Sequence, residues 1–165
     1  MSEKHLSTTA LQEAYSPEEH QGTRAVPVYL TSAYSFPNAD HGAAVFSLSK
    51  PGFIYSRLNN PTNDILERRL AALDGGVGCC VFSSGTAALF SALLCLLKSG
   101  YHIVSSSSVY GGTFTMFTVR LPRLGLESTM VNSDDPADFE KAIRPDTKAV
   151  FIETLGNPNC NIIDI

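Results

Sequence analysis

Residues 77–98, VGCCVFSSGTAALFSALLCLLK, decide how this chain folds. The apolar run at 77–82 is typical of a buried strand, and the apolar residues of 86–98 predict a helix. The turn that joins them, SSGT at 83–86, brings backbone N–H groups to the positive end of the helix dipole, and Gly85 leaves room for a close ligand. The stretch therefore predicts a phosphate-binding cup, although the same letters also fit an ordinary serine-capped helix start.

Strand-like and helix-like segments alternate along the rest of the chain. Asn60 and Pro61 suit the cap and first position of a helix that ends at Gly75. Hydrophobic periodicity then predicts strand 77–82, helix 86–98, strand 102–106, a helix near 112–121, strand 127–131, helix 135–143 and strand 148–153. This alternation predicts an α/β fold, with a mostly parallel sheet and helices on both faces.

Three polar segments follow predicted strands. They are the turn at 83–86, the serine run at 105–108 with the YGGT that follows it, and ETLGNP at 153–158. In open parallel sheets the ligand crevice lies at the carboxyl edge of the strands. We therefore expect the three segments to line one crevice.

The first 60 residues show little periodicity and are rich in turn-forming proline, glycine and asparagine. A long irregular stretch is uncommon inside a compact domain, so it is either disordered or packed on another subunit. The sequence thus predicts an extended arm over residues 1–60 and a domain over residues 61–165.

Composition excludes several classes of protein. The chain has 165 residues, 44% of them apolar, which is enough for one packed core. A net charge of -4 without a basic run argues against a nucleic-acid surface. The N-terminus is polar and the longest apolar stretch is too short for a membrane span. We expect a cytoplasmic protein that binds neither nucleic acid nor a membrane.

The cysteines and the glycines exclude further chemistry. The four cysteines form no C-x-x-C pair, so no zinc or redox site is expected, and buried free thiols are the favoured interpretation. No metal site is predicted. The glycines do not form the dinucleotide-binding pattern, and Phe82 and Thr86 stand where a serine hydrolase would need glycines around Ser84.

Further candidate residues lie outside the turn. In an extended strand Tyr55 and Arg57 point to the same side, and a guanidinium suits a phosphate, although an arginine in a loop is often only solvated. Tyr110 precedes two glycines that free the backbone to present its ring, or the ring is half-buried packing. Glu153 ends an apolar strand, and Asn157 precedes a proline, which is also an ordinary turn signature.

Together four segments resemble the Cys/Met-metabolism family of pyridoxal-phosphate enzymes, most closely its O-acetylhomoserine sulfhydrylase branch. The resemblance runs from about Thr23 to Ile165, and the segments that carry it are YSRLNNPTN, VFSSGTAAL, SSSSVYGGTF and ETLGNPN. It implies the large domain of a fold-type I transferase, here its N-terminal part, preceded by an extended arm. It also implies pyridoxal 5'-phosphate as cofactor.

The resemblance implies a role for each candidate residue. Ser84, Gly85 and Thr86 match the cup for the cofactor phosphate, and Tyr110 matches the ring that stacks on the pyridine. Asn157 matches the residue that hydrogen-bonds the cofactor's 3-oxygen, and Glu153 holds the neighbouring acidic position. Tyr55 and Arg57 match a pair that reaches the phosphate of a neighbouring subunit's site, so the family implies a homo-oligomer, a homotetramer. It also implies catalytic roles for Tyr55 and Tyr110.

The implied reaction is γ-replacement on O-acetylhomoserine with sulfide to give homocysteine, a step of methionine biosynthesis. Cystathionine γ-synthase, cystathionine γ-lyase and methionine γ-lyase share the motifs and remain alternatives, as does an inert cofactor-binding or interaction fragment. The family's Schiff-base lysine and the aspartate that pairs with the pyridine nitrogen belong beyond Ile165. The 165 residues alone are therefore expected to be inactive.

Two departures from the family pattern lead to further expectations. Tyr101 stands where an acidic residue is common. In the family sheet, later strands separate strand 77–82 from the other three, so we expect that strand to be unpaired or mispaired here and the chain alone to aggregate. The lysines are expected in the arm, at a helix end or away from the crevice: Lys4, Lys50, Lys98, Lys141 and Lys148.

Overall fold

The computed structural model describes residues 5–163 and residue 165. The chain divides into two compact units, one ending at Val81 and one beginning at Phe82. The division predicted at residue 60 stays a prediction. The first unit is helical, and the second contains a small parallel sheet with helices.

The main helix of the first unit, α3, spans Pro61–Asp74. The side chain of Asn60 accepts a hydrogen bond from the Thr62 N–H at 2.9 Å, and Gly75 ends the helix in the left-handed conformation with φ 66°. Ile65 is buried on its inner face. The predicted helix, with its cap and its stop, is confirmed.

The expectation of an irregular chain before residue 60 was wrong for three segments. Helix α1 spans Leu6–Gln12, a 3₁₀ turn spans Pro17–His20, and helix α2 spans Ala39–Phe46. Asn38 starts α2 because its side chain accepts the His41 N–H at 2.8 Å. The density of proline and glycine concealed these short helices. Of the three, α2 has a side-chain cap and the 3₁₀ turn ends at Gln21 in the left-handed conformation, whereas α1 has neither feature.

The second unit starts with helix α4, Gly85–Leu96. Strand β1 spans His102–Ser106, β2 spans Glu127–Val131 and β3 spans Thr147–Phe151. All three strands are parallel in the order β2-β1-β3, and Val104 of β1 pairs with Thr129 and Val150. The predicted parallel sheet is confirmed, and β1 is its central, fully buried strand.

Two helical segments connect these strands. The first is α5, Gly111–Thr115, which continues through a wider π turn at Met116–Arg120 and a 3₁₀ turn at Leu121–Leu124. The second is α6, Pro136–Ala142, capped by the Asp135 carboxylate. Both were predicted at these places, but the change of helical pitch was not.

The prediction of a strand at 77–82 was wrong. No strand forms there in the described part of the chain, and Val77 is fully exposed. The side chain of Glu67 accepts the Val81 N–H at 3.0 Å. A strand exists only with a hydrogen-bonding neighbour, and no described residue pairs with this segment. The expectation that it is unpaired is confirmed.

The core of the second unit is apolar. Its central residues are Ile103 of β1, Phe117 and Leu121 of the helical segment, and Leu126, with Leu93 and Leu97 packed against them. A smaller cluster covers the other side of β1 and contains Val104, Val131, Phe139 and Ile163. The sheet is thus held between two apolar layers, which fixes the loops at its carboxyl edge.

The cysteines are more exposed than the sequence predicts. The cysteines are free, but Cys79 is only half-buried and Cys80, Cys95 and Cys160 are exposed, so the prediction of buried thiols was wrong. They lie in the unpaired segment, on the outer side of α4 and in a loop. Within the described residues, none of the helices has the length and apolarity that crossing a membrane requires.

Candidate functional site

The turn at 83–86 has the geometry of an anion cup. Ser84 is extended and precedes α4, and its hydroxyl oxygen accepts the Ala87 N–H at 3.1 Å. Gly85 and Thr86 occupy the first turn of the helix, where backbone donors have no intrahelical acceptor. Both residues are exposed. The start of α4 therefore offers free N–H groups and a positive dipole end to a ligand.

Gly85 tests whether a phosphate fits this turn. Its φ is not left-handed, and a Cβ built on it would meet no protein atom within 4 Å. Neither backbone conformation nor packing of the described residues thus requires glycine here. The space in front of Gly85 is open to a ligand, and a phosphate group fits it.

A cavity of about 520 Å³ opens beside the turn. Two arginines, Arg120 and Arg123, contribute to its walls and were missed by the sequence reasoning, although their spacing of three residues in a helical segment places both on one face. The other residues that line the cavity are Ser84, Thr86, Ala87, Phe90, Met116 and Leu124. The cavity combines an apolar floor with positive charge.

Tyr110 directly precedes α5 and is 54% exposed. Its backbone N–H donates to the Glu153 carboxylate at 3.0 Å. Its ring lies against Gly112, where a Cβ would come within 2.5 Å of the ring atom Cε1. The structure therefore brings two predicted site residues, Tyr110 and Glu153, into direct contact.

The loop after β3 lies beside the loop after β1. The Asn157 N–H donates to the Ser108 carbonyl at 3.4 Å, and the Asn157–Pro158 peptide bond is cis. The side chain of Asn157 is exposed at this edge. Two of the three segments expected at one crevice are thus in contact, and among the described residues no hydrogen bond joins them to the turn at 83–86.

Tyr55 and Arg57 lie together in the first unit. The guanidinium carbon of Arg57 is 5.1 Å from the centroid of the Tyr55 ring, a cation–π distance. Tyr55 also forms an antiparallel bridge with Ala33. The extended strand predicted for these residues was wrong, because residues 56–58 form a turn in which the Leu58 N–H donates to the Tyr55 carbonyl at 2.8 Å. The two side chains still lie together, and they border a groove of about 580 Å³.

Asn60 holds the loop that carries this pair. Its side-chain amide donates to the Tyr29 carbonyl at 3.0 Å and to the Ser56 hydroxyl at 2.9 Å. Ser56 in turn donates to the Thr31 carbonyl. Only 8% of Asn60 is exposed. The residue that caps α3 therefore also ties segment 29–31 to the residue between Tyr55 and Arg57.

His102 is buried at the start of β1 between two threonine hydroxyls. Nδ1 lies 2.7 Å from the Thr147 hydroxyl and Nε2 lies 2.9 Å from the Thr129 hydroxyl. Burial, helped by the charge of Arg144, lowers the pKa of His102, and the opposing carboxylates of Asp146 and Glu127 do not outweigh it. The imidazole bridges the sheet between these two hydroxyls and is not a member of the site.

The lysines of the described residues do not line the cavity beside the turn at 83–86. The Lys98 and Lys148 ammonium groups lie 5.2 Å and 5.6 Å from the centroid of the Tyr101 ring. Tyr101, the departure from the family pattern, thus meets two cations through its ring face. Lys141 pairs with Asp138 at 2.7 Å, and Lys50 lines a separate groove in the first unit. Lys4 lies outside the described residues.

Comparison with known proteins gives a family and named relatives. A model of the Cys/Met metabolism PLP-dependent enzymes matches residues 7–165. Homocysteine synthase from Schizosaccharomyces pombe is 48% identical over 161 residues, which are 98% of this chain and 38% of that protein. O-acetyl-L-homoserine sulfhydrylase from Leptospira meyeri is 44% identical over 158 residues, 96% of this chain and 36% of that protein.

Solved structures share the fold. A Campylobacter jejuni protein described as an O-acetylhomoserine (thiol)-lyase, which carries N'-pyridoxyl-lysine-5'-monophosphate, superposes with a TM-score of 0.90 at 42% identity. The metB protein of Corynebacterium glutamicum superposes with a TM-score of 0.87 at 30% identity. Each match covers 98% of this chain and 40% of the other. The chain therefore spans less than half the length of the relatives described here.

Proposed function

This chain belongs to the Cys/Met metabolism PLP-dependent enzymes, and we propose that in the complete protein it grips the phosphate of pyridoxal phosphate at the start of α4. Ser84, Gly85 and Thr86 form the cup. The observation that carries the proposal is the open space at Gly85, in front of N–H groups that have no intrahelical acceptor.

The proposal assigns the cofactor ring to the edge where β1 and β3 end. Tyr110 stacks on the ring, and Asn157 hydrogen-bonds the 3-oxygen. Support comes from the half-exposed Tyr110 ring and from the exposed Asn157 in a loop joined to Ser108. When bound, the cofactor supplies an electron sink, and the protein groups hold it and orient it.

Tyr55 and Arg57 serve a neighbouring copy of the chain in this proposal. Arginine suits a phosphate because its planar fork donates two parallel hydrogen bonds. Support comes from the paired arrangement of the two side chains at an open groove. The complete enzyme is accordingly a homo-oligomer, and its size as a homotetramer belongs to the same proposal.

The proposed activity is the replacement of the acetyl-bearing oxygen of O-acetylhomoserine by sulfide, which gives homocysteine. Relatives at 48% and 44% identity that are named homocysteine synthase and O-acetyl-L-homoserine sulfhydrylase support this choice. Four cysteines without a disulfide are typical of a reducing compartment, so the proposal places the enzyme in the cytoplasm, without nucleic acid or membrane as partner.

The test is an assay of the complete protein that carries these residues. With added pyridoxal phosphate, O-acetylhomoserine and sulfide, we expect homocysteine and acetate as products. Release of α-ketobutyrate without replacement would overturn the assignment in favour of a lyase. Product formation with cysteine but not with sulfide would overturn it in favour of a cystathionine synthase.

A further inference from the structure

Glu153 holds the backbone of Tyr110. The carboxylate oxygen Oε1 accepts the Tyr110 N–H at 3.0 Å, across 43 residues of sequence. No side chain caps α5 from within, because Tyr110 itself makes no capping hydrogen bond. A carboxylate at a helix N-terminus is favoured by the dipole. Glu153 therefore fixes the point at which the tyrosine leaves the sheet and enters the helix.

Gly112 holds the ring of Tyr110. A Cβ at position 112 would lie 2.5 Å from ring atom Cε1, 3.1 Å from Cδ1 and 3.3 Å from Cζ. Gly112 lies within α5 and is not left-handed, so the backbone does not require glycine. Because Gly112 has no side chain, the Tyr110 ring can lie directly against its backbone.

The same loop contains Glu153 and Asn157. The Asn157 N–H donates to the Ser108 carbonyl at 3.4 Å, two residues before Tyr110. The bonds from Glu153 and Asn157 fasten the loop after β3 to the loop after β1 at both ends of a short segment. A shift of either loop would move the tyrosine ring and Asn157 relative to each other.

We propose that Glu153 and Gly112 are positioning residues for the Tyr110 ring, and that Glu153 acts through the Tyr110 backbone and makes no contact with the cofactor. This inference rests on the proposed function, in which Tyr110 stacks on a pyridine ring. Its chemical requirement at position 153 is an acceptor for one N–H, which a carboxamide oxygen also supplies. The negative charge is not required.

The test compares Glu153→Gln with Glu153→Ala in the complete protein. Dissociation constants are measured for pyridoxal phosphate and, by competition, for inorganic phosphate, which engages the phosphate-binding groups but has no ring to meet Tyr110. We expect Glu153→Gln to bind both within about twofold of wild type. Glu153→Ala should bind pyridoxal phosphate about tenfold more weakly and inorganic phosphate unchanged. Glu140→Gln and Glu140→Ala, at an exposed glutamate of α6, are the matched controls.

Each alternative outcome overturns a defined statement. A Gln variant as weak as the Ala variant means that the charge itself contacts the ligand, and equal loss of both ligands means general damage; either overturns the inference. An Ala variant that binds like wild type also overturns it. Failure of the wild type to bind pyridoxal phosphate overturns the proposed function instead.

Gly112→Ala is an independent variant that does not weaken the helix, because alanine favours helices more than glycine does. We expect its melting temperature to be no lower than that of wild type, while its affinity for pyridoxal phosphate falls several-fold and its affinity for inorganic phosphate stays the same. Unchanged affinity for pyridoxal phosphate in this variant would contradict the role assigned to Gly112.

Discussion

At the scale of single residues, three glycines serve three different purposes. Gly75 ends α3 because it adopts a left-handed φ of 66°. Gly112 leaves room for the ring of Tyr110, whereas no described atom occupies the space beside Gly85. Only the first purpose follows from backbone conformation. The other two point to a ligand and to the side chain that we propose contacts it.

Gly85→Ala tests the open space. The added methyl group meets no protein atom, and alanine is favourable in a helix, so we expect thermal stability to be unchanged or slightly higher. Affinity for pyridoxal phosphate should fall about tenfold or more, because the methyl group occupies the path of the phosphate. Titration with the cofactor and a melting curve measure the two effects. Ser91→Ala, in the same helix, is the control, and equal affinity of Gly85→Ala and wild type would refute the cup.

His102 gives a pH dependence of folding. Its pKa is lowered in the folded state, chiefly by burial, whereas in the unfolded chain it lies near 6.5. Above the unfolded value neither state binds the proton, so the histidine adds no pH dependence. As the pH falls below about 6.5, His102 binds a proton more readily in the unfolded chain than in the folded protein, so the free energy of unfolding decreases.

We predict that His102→Gln removes this part of the pH dependence. The free energy of unfolding of wild type should fall, relative to the variant, by at most about 1.4 kcal/mol per pH unit as the pH drops below 6.5, and the difference should be constant above pH 7. Urea titrations of the complete protein at several pH values measure it. His41→Gln controls for the loss of a histidine. An identical slope for wild type and His102→Gln would contradict the assignment.

At the scale of elements, the residues at the start of α3 also form a clamp, that is, hydrogen bonds that hold the loop containing Tyr55 and Arg57 in place. One side chain, Asn60, accepts from the helix and donates to two other segments. Thr62 adds a second tie, since its hydroxyl donates to the Pro27 carbonyl and accepts the Tyr29 N–H. The helix therefore determines where the pair can lie.

Asn60→Asp separates the two tasks of this residue. The carboxylate still caps α3, but it cannot donate to Tyr29 and Ser56. We expect Asn60→Ala to lower the free energy of unfolding by about 2–3 kcal/mol and Asn60→Asp by about 1–2 kcal/mol. Asn38→Ala, which removes only the cap of α2, is the matched control, with a loss of about 1 kcal/mol. Equal stability of Asn60→Ala and Asn38→Ala in urea titrations would contradict the clamp.

The elements also show what a sequence pattern can and cannot predict. Strands β1, β2 and β3 and the helices α3, α4 and α6 were predictable because their periodicity, caps and stops are local. The segment 77–82 has strand composition but no neighbour, and pairing is not a local property. The contact of Tyr110 with Glu153 spans 43 residues, so no spacing rule reveals it. The contact of the Tyr110 ring with Gly112 could not be predicted either, because backbone freedom is a sufficient explanation for the two glycines that follow Tyr110.

At the scale of the whole molecule, the sheet is open at β3. Only β1 pairs with it among the described residues, and Val150 is 51% exposed. An unpaired strand edge next to apolar surface is a template for other strands. The unpaired residues at 77–82 add a second segment of strand composition.

The 165 residues expressed alone are therefore predicted to self-associate. Size-exclusion chromatography with light scattering should show species larger than the 17.8 kDa chain, and thermal unfolding should lack a single cooperative transition. The complete protein is the control and should elute as a defined oligomer. A monodisperse monomer of the 165-residue chain that melts cooperatively would contradict this prediction.

A crystal structure of the complete protein with pyridoxal phosphate tests the central claim most directly. The account predicts that the phosphate oxygens lie within hydrogen-bond distance of the Gly85 and Thr86 N–H groups, with the Tyr110 ring against the pyridine. A cofactor bound with its phosphate away from the start of α4, or a different anion in that place with the cofactor absent, would contradict it.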